Sequence, residues 1–175
     1  MRHHPPTGIA AAIVSASLPM AMAAIDDLAL TFALPVVQRD LRADVIQLSW
    51  VVNGYTLAFA SLMLPFAALG DRFGRRRIFG LGIAIFALAS VVAALSGSAD
   101  LLIAARIVQG AGAAAIVPLS LTLLTTAVPE QRRALAVGMW SGINGLGIAL
   151  GPLLGGVIVD GFRWSGIFWL NVPIG

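Results

Sequence analysis

The sequence predicts an all-α fold, a polytopic bundle of membrane-spanning helices, and three observations predict it. Charged side chains make up only 11% of the 175 residues. A soluble domain carries about a quarter, so these are too few to coat a surface facing water. Hydrophobic residues make up 59%, and the mean hydropathy is +0.94. The apolar residues are gathered into five runs of about 20 residues, the length that crosses a bilayer, and a sixth run has begun where the sequence stops. The runs are too long for barrel strands and lack their period-two alternation.

The elements follow in chain order. Residues 1–8 form a short tail. The first span covers 9–34 and is interrupted by Pro19 and by the acidic pair Asp26 and Asp27. The second covers 49–69, with Trp50 and Tyr55 near its start, the third 78–95, the fourth 101–124 and the fifth 134–159; the sixth runs from 164 to 175. Residues 9–175 thus form one transmembrane unit of five full spans and the start of a sixth. The connections are short and leave no room for a soluble domain. Arg2 followed by an apolar stretch and Ala21-Met22-Ala23 has the outline of a cleavable signal peptide. The apolar run continues past Ala23 to Leu34, however, so an uncleaved first span is expected.

Arginine sets the expected orientation. The N-terminus with the second and fourth loops holds Arg2, Arg72, Arg75, Arg76, Arg77, Arg132 and Arg133; the first, third and fifth loops hold only Arg39, Arg42 and Arg163. The richer side faces the cytoplasm, so the tail is expected inside, in a bacterial inner membrane. The formal charge of +3 and the isoelectric point near 11 do not indicate a nucleic-acid partner, because these arginines sit in separate loops and form no continuous basic face. There is no cysteine, which removes disulfides, thiolate metal sites and cysteine nucleophiles. His3 and His4 lack a third ligand nearby, so no metal is expected. With no nucleophile–base constellation, the chain is not expected to be an enzyme, nor to need a cofactor.

Three segments carry chemistry. The junction of spans 2 and 3 reads Gly70-Asp71-Arg72-Phe73-Gly74-Arg75-Arg76-Arg77, an eight-residue turn whose glycines permit tight turning. Asp71 can pair with an arginine or face a helix N-terminus. Span 4 carries Arg106-Ile107-Val108-Gln109-Gly110-Ala111-Gly112. An arginine in hydrocarbon costs at least about 2.5–3.5 kcal/mol, so Arg106 requires a partner or an aqueous cavity. In span 5, Gly147, Gly151 and Gly155 recur every four residues and so share one helix face, a groove for another helix; Pro152 and Gly156 follow the last two. A fainter internal echo pairs Asp71, Phe73, Ile78 and Phe79 with Asp160, Phe162, Ile167 and Phe168 at a constant offset, as three-helix inverted repeats would.

These segments resemble the major facilitator superfamily. The loop of spans 2 and 3 is similar to that family's G-x-x-x-D-R-x-G-R-R/K-x signature, with the first glycine, Gly70, moved next to Asp71. The run R-x-x-Q-G-x-G of span 4 resembles the family's helix-4 motif, and Gly142 to Gly156, ending in Gly-Pro-x-x-Gly-Gly, resembles its antiporter signature. In span 1, Asp26 and Ala33-Leu34-Pro35 resemble the L-D-x-T-x-x-N-x-A-L-P pattern of the fourteen-helix drug:proton antiporters, with Leu28 and Thr31 in place of the usual Thr and Asn, and Asp27 as an extra acid. The resemblance implies the N-terminal half of that fold, with a second, C-terminal half-bundle as partner. It implies a latch at Gly70, Asp71, Arg72, Gly74, Arg75 and Arg76, and proton coupling through Asp26 and Arg106. It also implies proton-coupled export of small lipophilic, often cationic compounds. The alternatives are a truncated piece without transport of its own and an uptake symporter, which generally lacks the span 5 signature.

Position along the helices brings the two coupling residues level. Asp26 is roughly 13 Å before Pro35, and Arg106 roughly 9 Å past Asp100, at 1.5 Å per residue. With the spans running in opposite directions, both fall in the outer half of the membrane and are expected to meet. Asn53, Tyr55, Gln109 and Asn144 are the candidate polar residues of a substrate cavity, each open to the alternative of bonding a neighbouring helix.

Overall fold

The computed structural model describes residues 6–161 and 163–173. Six α-helices are described: α1 Pro6–Leu41, α2 Val45–Phe73, α3 Arg75–Ala94, α4 Ala99–Ala127, α5 Arg133–Gly161 and a short α6, Gly166–Trp169, with a 3₁₀ turn at Glu130–Arg132 before α5. Five helices are long and apolar enough to cross a membrane. His3, His4, Phe162 and the last two residues of the expected sixth span lie outside the described residues.

The helices run further than the apolar spans, and the loops shrink accordingly. Pro35 does not end α1, which continues through Arg39 and Asp40 to Leu41. A membrane helix tolerates an internal proline where neighbours and local side chains re-satisfy the freed backbone; past it, Arg39 Nε folds back to donate to the Pro35 carbonyl at 3.3 Å. The chain then turns through Arg42, Ala43 and Asp44. Asp44 opens α2 with a reciprocal cap: its carboxylate accepts from the Gln47 amide at 2.7 Å, while its own N–H donates to Gln47 Oε1 at 3.1 Å. The same Gln47 donates to Asp100 in the first turn of α4 at 2.9 Å, tying two helix starts at one end of the bundle. At that end Trp164 also donates to Asp40 at 3.1 Å.

The expected eight-residue turn between spans 2 and 3 reduces to one residue. Gly74, at φ 105° and ψ 116°, reverses the chain between α2 and α3. Its N–H closes α2 on the Gly70 carbonyl at 3.0 Å, and its carbonyl accepts from Arg77 at 3.0 Å and Ile78 at 3.2 Å to start α3. No L side chain adopts that backbone comfortably. Gly74→Ala is expected to cost about 1–3 kcal/mol and to lower the melting midpoint in detergent. Gly80→Ala, where an added methyl meets nothing within 4 Å, should be neutral or stabilising. Scanning fluorimetry on the pair checks this; equal midpoints would refute it.

α4 is the centre of the bundle. Ala113, Ala114, Ala115 and Ile116 are wholly buried, α2 and α3 pack on α4, and α1 contacts it while carrying α5. Small residues permit these approaches. A methyl on Gly112 would lie 2.8 Å from the Phe86 nitrogen of α3, and one on Gly110 would run into the Tyr55 carbonyl of α2. The periodic glycines of α5 seat α1 in the same way: methyls there would approach the Ala21 carbonyl at 3.2 Å (Gly147), Leu28 Cβ at 2.6 Å (Gly151) and the Ala29 carbonyl at 2.8 Å (Gly155). Gly156 takes no part in that groove and faces open space. These contacts fix the segment of α1 that holds Asp26 and Asp27.

Candidate functional site

A polar cluster lies inside the apolar bundle, assembled from four of its helices, α1 to α4, and the turn after α6. Asp26 of α1 and Arg106 of α4 are both wholly buried. Arg106 Nη1 donates to Asp26 Oδ2 and to Gln109 Oε1 at 3.1 Å. Its Nη2 donates to Asp27 Oδ1 at 2.9 Å, and its Nε reaches the Val51 carbonyl of α2 at 3.4 Å. The guanidinium carbon sits 4.2 Å from the centre of the Tyr55 ring, a cation–π contact that is strongest away from water. One arginine thus serves two carboxylates, an amide, a carbonyl and an aromatic face, which uses the planar five-donor fork that lysine lacks.

The other oxygen of Asp26 is held as well. Asn171, in the turn after α6, donates to Asp26 Oδ1 at 2.5 Å, and Gln109 donates to it at 3.4 Å. Behind them Ser90 of α3 accepts from Gln109 at 2.8 Å and from Asn171 at 3.2 Å, and donates to the Phe86 carbonyl at 2.8 Å. Every donor around Asp26 points at a carboxylate acceptor, so this arrangement suits the ionised acid. A buried pair of this kind is stable only when hydrogen bonds complete it, and here they do.

The structure brings Asp26 and Arg106 together and adds three residues for which the sequence suggested no partner. Asp27, one position along α1, shares the same arginine. Ser90 and Asn171 carry only a weak signal, that of a small polar side chain within or beside an apolar run. The candidate cavity residues divide. Tyr55 and Asn144 line an open cleft of about 500 Å³, with Asp27, Met20, Phe59 and Val117 among its other walls. Gln109 does not reach the cleft; it is buried and its amide is committed to the cluster. Asn53 is exposed and lies off the cleft lining.

The second segment lies at the opposite end. Arg75 Nε and Asp71 Oδ1 pair at 2.8 Å across the Gly74 reversal, with side chains 39% and 64% exposed. Arg72 lies 5.2 Å from the Phe73 ring centre. Gly70, Asp71, Gly74, Arg75, Arg76, Arg77 and Leu123 border a shallow hollow there. An exposed pair of this sort contributes at most about 1 kcal/mol to stability. Gly70 itself is buried, and a methyl on it would meet Leu119 Cδ2 of α4 at 2.5 Å.

An all-helical membrane bundle with an arginine and two acids bonded at its centre has the design of a transporter. Residues 12–175 match the family model of the Major Facilitator Superfamily, and the chain belongs to that family. It is 41% identical over 175 residues to the methylenomycin A resistance protein of Streptomyces coelicolor, covering 99% of this chain and 36% of that protein. It is 37% identical over 163 residues to the tetracenomycin C resistance and export protein of Streptomyces glaucescens, covering 93% and 30%. Against the multidrug efflux pump LfrA of Mycolicibacterium smegmatis the identity is 38% over 170 residues, covering 97% and 34%. The chain therefore spans about a third of the length of these curated relatives. A solved bacterial homologue of the human lysosomal transporter Spinster, inward-facing and unoccupied, superposes with a TM-score of 0.79 at 20% identity, covering 98% of this chain and 41% of that one; this likeness concerns the fold alone.

Proposed function

We propose that this sequence forms the proton-coupling bundle of a drug exporter, in which proton entry drives expulsion of lipophilic compounds from a bacterial cytoplasm. The observation that carries this reading is the buried Asp26–Arg106 pair in helices otherwise fit for lipid. A carboxyl in hydrocarbon is costly when ionised and cheap when protonated. Its ionised form persists here through Arg106, Asn171 and Gln109. A conformational change that parts Asp26 from those donors favours taking up a proton, and restoring them favours its release. Such a residue carries a proton across if the two states open to opposite sides.

The names of the relatives support drugs as the cargo, and the aromatic cleft beside the cluster suits lipophilic compounds. The glycine groove of α5 supports exchange by giving α1, which bears the carrier, a close seat on a neighbouring helix. The arginine bias supports an orientation with the N-terminus and the Asp71–Arg75 end on the cytoplasmic side, where that pair would act as a latch closing one side. Alternating access requires one bundle rocking against another, so the residues described here are expected to need a second bundle for transport.

Asp26→Asn is expected to abolish export driven by a proton gradient while leaving the protein in the membrane at normal abundance. Efflux of a dye and antibiotic panel from inverted vesicles, with and without an imposed pH gradient, measures it. Unchanged gradient-driven export in the variant would refute the assignment.

A further inference from the structure

The two oxygens of the Asp26 carboxylate meet different chemistry. Oδ2 faces Arg106, and a guanidinium only donates. Oδ1 faces the side-chain amides of Asn171 and Gln109, with Ser90 behind them. An amide carries a donor at one end and an acceptor at the other, and a hydroxyl does both through one atom.

Asn171 is 2% exposed and Ser90 is wholly buried. The Asn171 Nδ2 donates to Asp26 Oδ1 at 2.5 Å and to Ser90 Oγ at 3.2 Å, while among the described residues nothing donates to the Asn171 oxygen. Half a turn about the end of this side chain exchanges its oxygen and nitrogen within almost the same volume. The oxygen then stands against both Asp26 Oδ1 and Ser90 Oγ. Ser90 can turn its hydrogen to that oxygen from the Phe86 carbonyl, and still accept from Gln109. Gln109 cannot turn in the same way. Its oxygen accepts from Arg106 at 3.1 Å, and reversal would set two donors against each other.

We infer that Asp26 takes its proton on Oδ1, facing Asn171, and that Asn171 and Ser90 reverse their hydrogen bonds to hold it there. This rests on the coupling reading and names the atom and the positioning residues that reading leaves open. In the ionised state Asn171 donates to Oδ1. Once the proton is bound, the acid is the donor and the turned amide accepts it. Oδ2 keeps its bond to Arg106, so acid, amide, hydroxyl and guanidinium are bonded in both states.

The charges agree with this assignment. Arg106 of α4 faces Asp26 and Asp27 of α1, and Tyr55 of α2 lies under the guanidinium. The α3 and α6 sides present the neutral Ser90 and Asn171, and α5 meets this stretch of α1 through Gly147, Gly151 and Gly155. A proton on Asp26 leaves Arg106 balanced by Asp27 alone, with no net charge in the hydrocarbon region, where charge is costly. Rotation of one amide thus withdraws a donor from the ionised acid while α1 stays seated on its neighbours.

The test uses the protein expressed from its own gene, isotope-labelled at the asparagine side-chain carbonyl and purified in detergent. Infrared spectra are compared between acid and alkaline pH. A protonated-carboxyl band missing from Asp26→Asn identifies the acid, and an asparagine band missing from Asn171→Leu identifies the amide. An amide carbonyl that begins to accept a hydrogen bond absorbs at lower frequency. In the wild type the asparagine band should therefore move down as the carboxyl band rises, with one shared midpoint in pH. A carboxyl band without that downward movement overturns the inference alone. Absence of any carboxyl band overturns it together with Asp26 as the carrier.

Asn171→Leu keeps the size of the side chain and removes both donor and acceptor. It should lower the turnover of gradient-driven export at least about tenfold, as loss of a hydrogen bond to a charged group does. KM should be unchanged, because Asn171 does not line the cleft. Wild-type turnover in this variant overturns the inference. If the variant does not fold, Asp26→Asn makes the band assignment instead, since the asparagine band should stay still there, and the wild-type spectra decide.

Discussion

Replacing Arg106 with alanine is expected to destabilise the bundle by about 3–5 kcal/mol, the penalty for stranding the partner of a buried ion pair, and to end export altogether. The size follows from how many groups the guanidinium serves. Its loss leaves Asp26 and Asp27 side by side with no cation, strips the Val51 carbonyl and Gln109 Oε1 of a donor, and uncovers the Tyr55 ring. Arg106→Lys should recover part of the stability but none of the bridging, because a single ammonium cannot present two parallel donors to separate carboxylates. A triple variant separates charge from packing. Arg106→Met with Asp26→Asn and Asp27→Asn removes all three charges, and should regain most of the stability without regaining export. Melting followed by circular dichroism in detergent, alongside vesicle efflux, reads both quantities. An alanine variant as stable as the wild type would show that the cluster does not hold the helices together.

Gly110→Val should have a comparable effect on folding by a different route. The added Cβ would fall on the Tyr55 carbonyl, and within about 3.0 Å of the Tyr55 Cα. These are backbone atoms that cannot rotate away, so α2 and α4 must part. Overpacking a tight contact typically costs about 1–3 kcal/mol, and relief by helix displacement also draws the Val51 carbonyl and the Tyr55 ring away from Arg106. The expected result is a lower yield of folded protein, a reduced melting midpoint and loss of export together. Gly142→Ala, where a methyl would meet nothing within 4 Å, is the control and should behave as wild type. A Gly110→Val protein with unaltered melting would mean that the α2–α4 contact tolerates separation.

Membrane class and number of spans were legible in the sequence because each span is a continuous apolar run, and a bilayer leaves the backbone little choice but a helix. Helix ends were less legible. Hydropathy marks where lipid stops, whereas Arg39, Asp40 and Gln47 are polar residues that remain helical above it. The reversal at Gly74 was hidden for a similar reason: eight residues rich in glycine and arginine read as a loop, but positive φ at one of them lets the helices on either side run almost to contact. In the cluster, Asp26 and Arg106 stood out because charge in an apolar run is expensive. Ser90 and Asn171 did not, since a neutral polar side chain there can bond its own helix at little cost.

By itself the amino-acid order determined that the chain lies in a membrane, that it holds five helices long enough to cross it, and that an acid and an arginine share one depth. Only the tertiary structure decided that Arg106 is divided between two acids, that one of these is enclosed and the other borders a cleft, and that Gln109 belongs to the enclosed side. Depth along a helix follows from residue count and rise. The direction a side chain faces depends on which neighbours the close glycine contacts admit, and those contacts join residues far apart in the chain.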